Sequence, residues 1–203
     1  MALGRRAKML TERQEAAVLG VLKAQGRYRE RNVAMFLLSV KAGLRAKEIS
    51  MLTWAMITDA DGQIAEVISL ENKASKGKRG GRVVPLNRVL REALQALRDS
   101  QEGAVSDSPV IRSERGRNSE RGGRMAPGTI ADWFGDLYRG IGFDGCSSHS
   151  GRRTFITRAA RRISQVGGSL RDVQYLAGHA SLSTTQIYID GDGEAQRKVV
   201  DLI

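Results

Sequence analysis

Four short boxes in this sequence hold side chains suited to chemistry on an anionic ester. In the first, Gly43-Leu44-Arg45-Ala46-Lys47-Glu48, an arginine follows a glycine helix stop and a carboxylate stands one turn later. In the second, His149-Ser150-Gly151-Arg152, a histidine precedes an arginine by three residues where a loop runs into a helix. Positions i and i+3 at a helix start face the same way, beside backbone N–H groups that favour an anion. The third is Leu176-Ala177-Gly178-His179, and the fourth runs from Ser181 to Tyr188, nine residues after His179, with a Ser/Thr run suited to a turn and a helix N-cap. Each has a bland reading alone: a surface ion pair, a solvated basic face, a structural histidine, a core tyrosine.

Together these side chains match what displacement at a phosphodiester needs. In-line attack gathers negative charge on the non-bridging oxygens, and two guanidinium forks, Arg45 and Arg152, can bind those oxygens without a metal. A phenol such as Tyr188 is a poor nucleophile until cations and an acceptor favour its phenolate; attack would then store the bond energy in a covalent ester for rejoining. The leaving oxygen needs a proton, which a lysine can supply.

The composition agrees. The 203 residues carry 33 Lys and Arg (25 of them Arg) against 22 Asp and Glu, a formal charge of +11. An arginine-heavy basic chain suggests a nucleic-acid partner first and an anionic membrane second. No basic amphipathic segment with aromatic anchors supports the membrane. A single cysteine, Cys146, excludes an intrachain disulfide and a cysteine zinc cage, and two histidines are too few for a His-based metal site without carboxylate help. No apolar stretch approaches a membrane span and the N-terminus is not a secretory signal, so a reducing cytoplasm is the default compartment.

The elements that must position these groups are mostly helical. Thr11 and Gln14 have capping-box spacing for a first helix ending near Gly26, with residues 1 to 10 before it basic and mobile. Glu30 to Ala42 is apolar nearly all round and belongs in the core; a short helix spans Ala46 to Leu52. Trp54 to Thr58, Ile64 to Leu70 and Arg82 to Leu86 predict a three-stranded antiparallel sheet, with a Lys- and Gly-rich turn over Lys73 to Gly81. Asn87 caps a helix with Val89, Leu90, Leu94 and Leu97 on one side. Residues 100 to 127 form a long connection whose middle, Arg112 to Arg124, holds five Arg and three Gly and predicts a flexible loop. Helices resume near Thr129, over Gly151 to Ser164, Leu170 to Leu176 and Ser181 to Tyr188, and no linker clearly splits the chain.

In this order and spacing the boxes resemble those of the tyrosine recombinase (phage integrase) family, over roughly residues 30 to 190. The resemblance covers the Gly-Leu-Arg-x-x-Glu setting of Arg45, the His-x-x-Arg box followed by Thr154-Phe155, the Leu-x-Gly-His box and Tyr188. It implies a mainly α fold with a small antiparallel β-sheet (α+β), no cofactor and no metal. The implied catalytic set is Arg45, Glu48, Lys76, His149, Arg152, His179 and the nucleophile Tyr188, converging on one phosphate. Glu48 would orient Arg45 or His149, and the histidines would hydrogen-bond the phosphate or shuttle protons. The family's lysine lies on a hairpin just before a Val-Pro-Leu strand end, here Val84-Pro85-Leu86; Lys76 fits best, with Lys78 and Lys73 as alternatives. DNA contacts would come from Lys73, Lys78, Arg79, Arg153 and Arg158.

Two departures stand out: Gly151 where the family usually has leucine, which would loosen the helix start, and Arg153 where histidine is common. The implied domains are an N-terminal extension over 1–25, a catalytic domain over 26–190 and a tail over 191–203 docking in cis or trans. The shortness before residue 26 fits a recombinase without a separate clamping domain, resembling the short fimbrial invertases, or a piece of a longer integrase. The implied activity is site-specific cleavage and rejoining of duplex DNA by a tetramer on paired sites in the nucleoid, with accessory DNA-bending proteins. Rival readings are a type IB topoisomerase and an inactive DNA-binding regulator on the same fold.

Overall fold

The computed structural model describes residues 7–71, 81–114 and 123–188, with positions 197, 200, 201 and 203 beyond them. It falls into two units, residues 1–155 and 156–203, and the division lies inside a helix where the sequence shows no linker.

In the first unit, α1 (Glu12–Lys23) starts where the capping-box spacing predicts. Thr11 Oγ1 accepts the Gln14 N–H at 3.2 Å and Gln14 Oε1 accepts the Thr11 N–H at 3.0 Å. The next helix, α2 (Arg29–Lys41), is the centre of the core: every residue from Arg31 to Val40 is buried. It packs against α1, α3 (Ala46–Met51) and α4 (Arg88–Asp99). Burying each of its Leu and Phe side chains contributes about 1.5–3 kcal/mol. Asn87 caps α4 by accepting the Val89 N–H at 3.0 Å. Leu90, Leu94 and Leu97 are buried, whereas Val89, expected on the same side, is 43% exposed. One residue before Leu90, it lies about 100° away from the stripe that the three leucines define.

Among the described residues the sheet has two strands, β1 (Val67–Leu70) and β2 (Arg82–Pro85), paired antiparallel with Ile68 opposite Val84 and Leu70 opposite Arg82. The expected third strand is absent. Trp54–Met56 forms a 3-10 turn, and the Trp54 and Ala55 N–H groups donate to the carbonyls of Ser108 and Ser106. Trp54, Met56 and Ile57 all turn inward, which a strand's alternation does not allow, and only the isolated bridge Thr58–Ile64 remains of the expected pairing.

The connection after α4 is not loose throughout. Val110 and Ile111 are fully buried, and Arg112 bridges to Arg124 with the Ser113 N–H on the Gly123 carbonyl at 2.7 Å. Its middle, 115–122, lies outside the described residues. Helix α5 (Pro127–Gly140) follows and packs on α3. The described part of the N-terminal segment is also held, against the expectation of a mobile lead. The Lys8 N–H donates to the Gly145 carbonyl, the Leu10 N–H to Thr154 Oγ1, and Arg153 to the Ala7 carbonyl, while Leu10 is 1% exposed.

Helix α6 (Ser150–Arg162) runs across the division. The second unit continues with a 3-10 turn (Ile163–Val166), α7 (Leu170–Ala177) and α8 (Leu182–Gln186). Ser169 and Asp172 form a capping box for α7, and Ser181 caps α8.

Gly151 does not loosen the start of α6. A Cβ there would lie 2.4 Å from Ser39 Oγ and 3.0 Å from Ser39 Cβ, so the missing side chain lets α6 seat against α2. Ser39 Oγ is buried with no hydrogen-bond partner among the described residues. Alanine for glycine inside a helix ordinarily stabilises by about 0.5–1 kcal/mol. Gly151→Ala is expected to do the opposite, destabilising by about 1–3 kcal/mol through overpacking. Ser39→Ala in the same chain should recover part of that loss, since it removes the 2.4 Å contact but keeps the Ser39 Cβ at 3.0 Å, and alone should change little, all read by urea denaturation.

Candidate active site

The first unit gathers three arginines on one carboxylate. Gly43 ends α2 with φ +64°, and a Cβ there would lie 2.4 Å from the Phe155 ring, so glycine is needed both for the backbone and for the close approach. The reversal lets the Leu44 N–H return to the Leu38 carbonyl and sets Arg45 at the N-cap of α3. Glu48, at the third position of that helix, reaches back: Oε2 accepts the Arg45 backbone N–H at 2.8 Å and Oε1 accepts Arg45 NH1 at 2.9 Å.

Arg82 approaches the same carboxylate from β2 as a fork, with NH1 on Oε1 at 2.7 Å and NH2 on Oε2 at 3.1 Å. Arg152, from the first turn of α6, donates NH1 to the Gly43 carbonyl and lies 4.0 Å from Glu48 Oε2. The sequence-predicted guanidinium pair, Arg45 and Arg152, therefore meets at one acid.

Glu48 is 1% exposed, and the side chains of Arg82 and Arg152 are 5% and 4% exposed, whereas that of Arg45 is 27% exposed. Burial pushes the Glu48 carboxyl up. The hydrogen bonds and charge of Arg82, then the Arg45 N–H and charge, outweigh it and hold the group below its ordinary 4.5. Three cations around one anion leave a net positive cluster that opens to solvent through Arg45. Such a cluster can hold the non-bridging oxygens of a phosphodiester.

The remaining predicted residues are placed as follows. His149 is exposed just ahead of α6, its N–H donating to Ser147 Oγ at 3.3 Å and its carbonyl accepting the Arg153 N–H at 2.9 Å. Arg153 is partly buried with its guanidinium on the Ala7 carbonyl at 3.0 Å. Lys73, Lys76, Lys78 and Arg79 lie outside the described residues.

In the second unit, His179 and Tyr188 form a local pair. His179 is 9% exposed, with Nδ1 2.9 Å from the Oγ1 of fully buried Thr185. Its ring stacks on Tyr188 at 5.4 Å between centroids and 23° between planes. The Tyr188 N–H donates to the Thr185 carbonyl at 3.0 Å and its carbonyl accepts from Thr157 Oγ1 at 3.5 Å. Arg158 is partly buried in this unit. Among the described residues, no group of three or more His, Cys, Asp or Glu side chains could hold a metal ion.

Sequence reasoning missed Arg82, which it read only as the start of a strand. The signal was present: in the alternation of Arg82-Val83-Val84-Pro85, an arginine shares the inward face with a core valine.

Comparison with known proteins gives the family and the fold. The sequence model of the phage integrase family matches residues 8–194, a wider span than the boxes alone cover. The tyrosine recombinase XerC of Rhizobium meliloti is 31% identical over 202 residues, covering 96% of this chain and 57% of the relative. The fold is similar to that of the XerA recombinase crystal structure, with TM-score 0.69, 24% identity, and coverage of 96% of this chain and 64% of that one. It is also similar to XerH bound to a palindromic difH substrate, with TM-score 0.71, 20% identity, and coverage of 98% and 54%. This chain spans little more than half the length of the XerC relative. No helix among the described residues is long and apolar enough to cross a membrane.

Glu48→Gln leaves the buried fork of Arg82 without its anion and is expected to destabilise the fold by about 3–5 kcal/mol at neutral pH. A carboxyl held below its ordinary value contributes stability that is fully present above about pH 4.5 and is lost as pH falls through the lower folded value. The gap between Glu48→Gln and wild type in denaturant melts should therefore narrow below about pH 4.

Proposed function

The chain belongs to the phage integrase family, and from that premise we propose that it cleaves and rejoins duplex DNA at specific sites through a 3′-phosphotyrosyl intermediate on Tyr188. The observation that carries the proposal is the Glu48 cluster, which unites Arg45 and Arg152 in one cationic site.

In this reading the Tyr188 hydroxyl passes its proton to one of the two histidines, its oxygen attacks the phosphorus in line and the bond to the 5′ oxygen breaks. The leaving oxygen takes a proton from Lys76, and the phosphate stays esterified to the phenol until a 5′-hydroxyl reverses the step. Arg45 and Arg152 bind the non-bridging oxygens as charge grows on them. His149 and His179 hydrogen-bond the phosphate or carry protons, and Glu48 holds Arg45. The reaction calls for both sets of groups at one phosphorus of a bound duplex.

Lys73, Lys78, Arg79, Arg153 and Arg158 add salt-dependent backbone contacts. The partner is duplex DNA, on which the chain works as a homo-oligomer, a tetramer on paired sites, with DNA-bending accessory proteins and a place in the nucleoid. The tail over 191–203 docks on its own unit or a neighbouring copy. The structure of XerH on its difH substrate supports the choice of DNA.

The test incubates the chain with a pool of nicked duplexes carrying a randomised core and recovers DNA that stays protein-bound through denaturation. Wild type is expected to enrich particular sequences as covalent adduct, and Tyr188→Phe to lower adduct by at least about a thousandfold. Transfer of the trapped strand to a second duplex separates recombination from simple relaxation. Absence of adduct from any pool overturns the proposal.

A further inference from the structure

We infer that Arg82 is a positioning residue of the cleavage site: from β2 it fixes the plane of the Glu48 carboxylate, and through Glu48 it sets the guanidinium of Arg45. The inference rests on the function proposed above and deepens it.

Arg82 occupies an expensive place. It lies opposite Leu70 and on the same face as Ile68 and Val84, all three buried. Taking an arginine out of water costs more than placing a hydrophobe there, so stability of the sheet alone does not call for it. Its geometry states its use. The fork engages both oxygens of Glu48, at 2.7 and 3.1 Å, so the carboxylate cannot rotate. With the plane held, Oε1 still accepts Arg45 NH1 and Oε2 still accepts the Arg45 backbone N–H. Arg45 has the most exposed side chain of the three arginines, and Glu48 anchors it. Arg82 is buried and gives two donors to Glu48, which provides a route from Arg82 to Arg45 through the acid.

Among the described residues, the charged groups facing Glu48 are Arg45 at the start of α3, Arg82 from β2 and Arg152 from α6. Burial pushes the Glu48 carboxyl up, and Arg82 is the largest influence opposing it. Without Arg82 the carboxylate forms only at higher pH, so cleavage should lose its anchor on the acid side of the profile first.

The experiment measures the rate of covalent adduct formation across pH on a nicked duplex enriched with the wild-type chain, alongside denaturant melts that give the folded fraction. Arg82→Met is expected to lower the plateau rate per folded molecule about 10- to 100-fold and to move the acid limb to higher pH. Arg82→Lys, which keeps the charge but not the fork, should leave the acid limb near that of wild type and give an intermediate rate. In the double variant Arg82→Met with Glu48→Gln, the rate should equal that of Glu48→Gln alone, because both changes break the same link.

A wild-type rate and pH profile per folded Arg82→Met molecule overturns the inference. A double variant slower than Glu48→Gln alone also overturns it, since Arg82 would then act by another route. Should Arg82→Met alone fail to fold, the double variant carries the decision, because it removes the buried Arg82 guanidinium and the Glu48 carboxylate that pairs with it together. Adduct formation by wild type shows that the cleavage reading stands even where the inference falls; absence of wild-type adduct overturns both.

Discussion

One buried carboxylate organises the first unit. Glu48 is surrounded by Arg45, Arg82 and Arg152, which arrive from three elements far apart in sequence. Without the acid, three guanidiniums would repel one another in a place with little water; with it, they are drawn together and keep a surplus of positive charge. The tight backbone at Gly43 serves the same end, since it accepts an Arg152 donor on its carbonyl, takes the Phe155 ring against its bare Cα and delivers Arg45 to the start of α3.

The local features of this fold were legible in sequence because their causes are local. Thr11 with Gln14 caps α1, Asn87 caps α4, and Ser181 caps α8, each through a bond spanning two or three residues. The buried run of α2 could be read from its apolar faces alone. What could not be read depends on partners distant in the chain. Trp54 reads as a strand residue in sequence, but its backbone is bonded to Ser108, and the 3-10 turn follows from that long-range pairing. Gly151 looked like a weak helix start because nothing nearby in sequence shows that Ser39 lies against it.

The candidate site divides in the same way. Arg45 and Glu48 are one helical turn apart and were paired from spacing. His179 and Tyr188 were joined by a nine-residue interval, and the fold shows why that interval works. Gly178, with φ +61°, ends α7, Ser181 starts α8, and barely more than one helical turn brings Thr185 to the histidine and Tyr188 over its ring. Arg82 does not stand out in sequence because an arginine leaving a basic turn looks like one more solvated charge. Only its inward register on β2, opposite Leu70, separates it from its neighbours in sequence.

The chain's excess of 11 positive charges is a property of its whole surface and would attract any polyanion. The Glu48 cluster is different in kind. Its acid cancels part of the charge and converts the remainder into direction, because each guanidinium is planar and its orientation is set by the oxygen it meets. A lysine at position 82 could supply the charge but not two parallel hydrogen bonds, and the carboxylate would be free to turn about its own axis. The surplus at Arg45 would then point nowhere in particular. In the proposed reaction, the aim of Arg45 at a single phosphate would therefore depend on the acid at the centre of the cluster as much as on the bases around it.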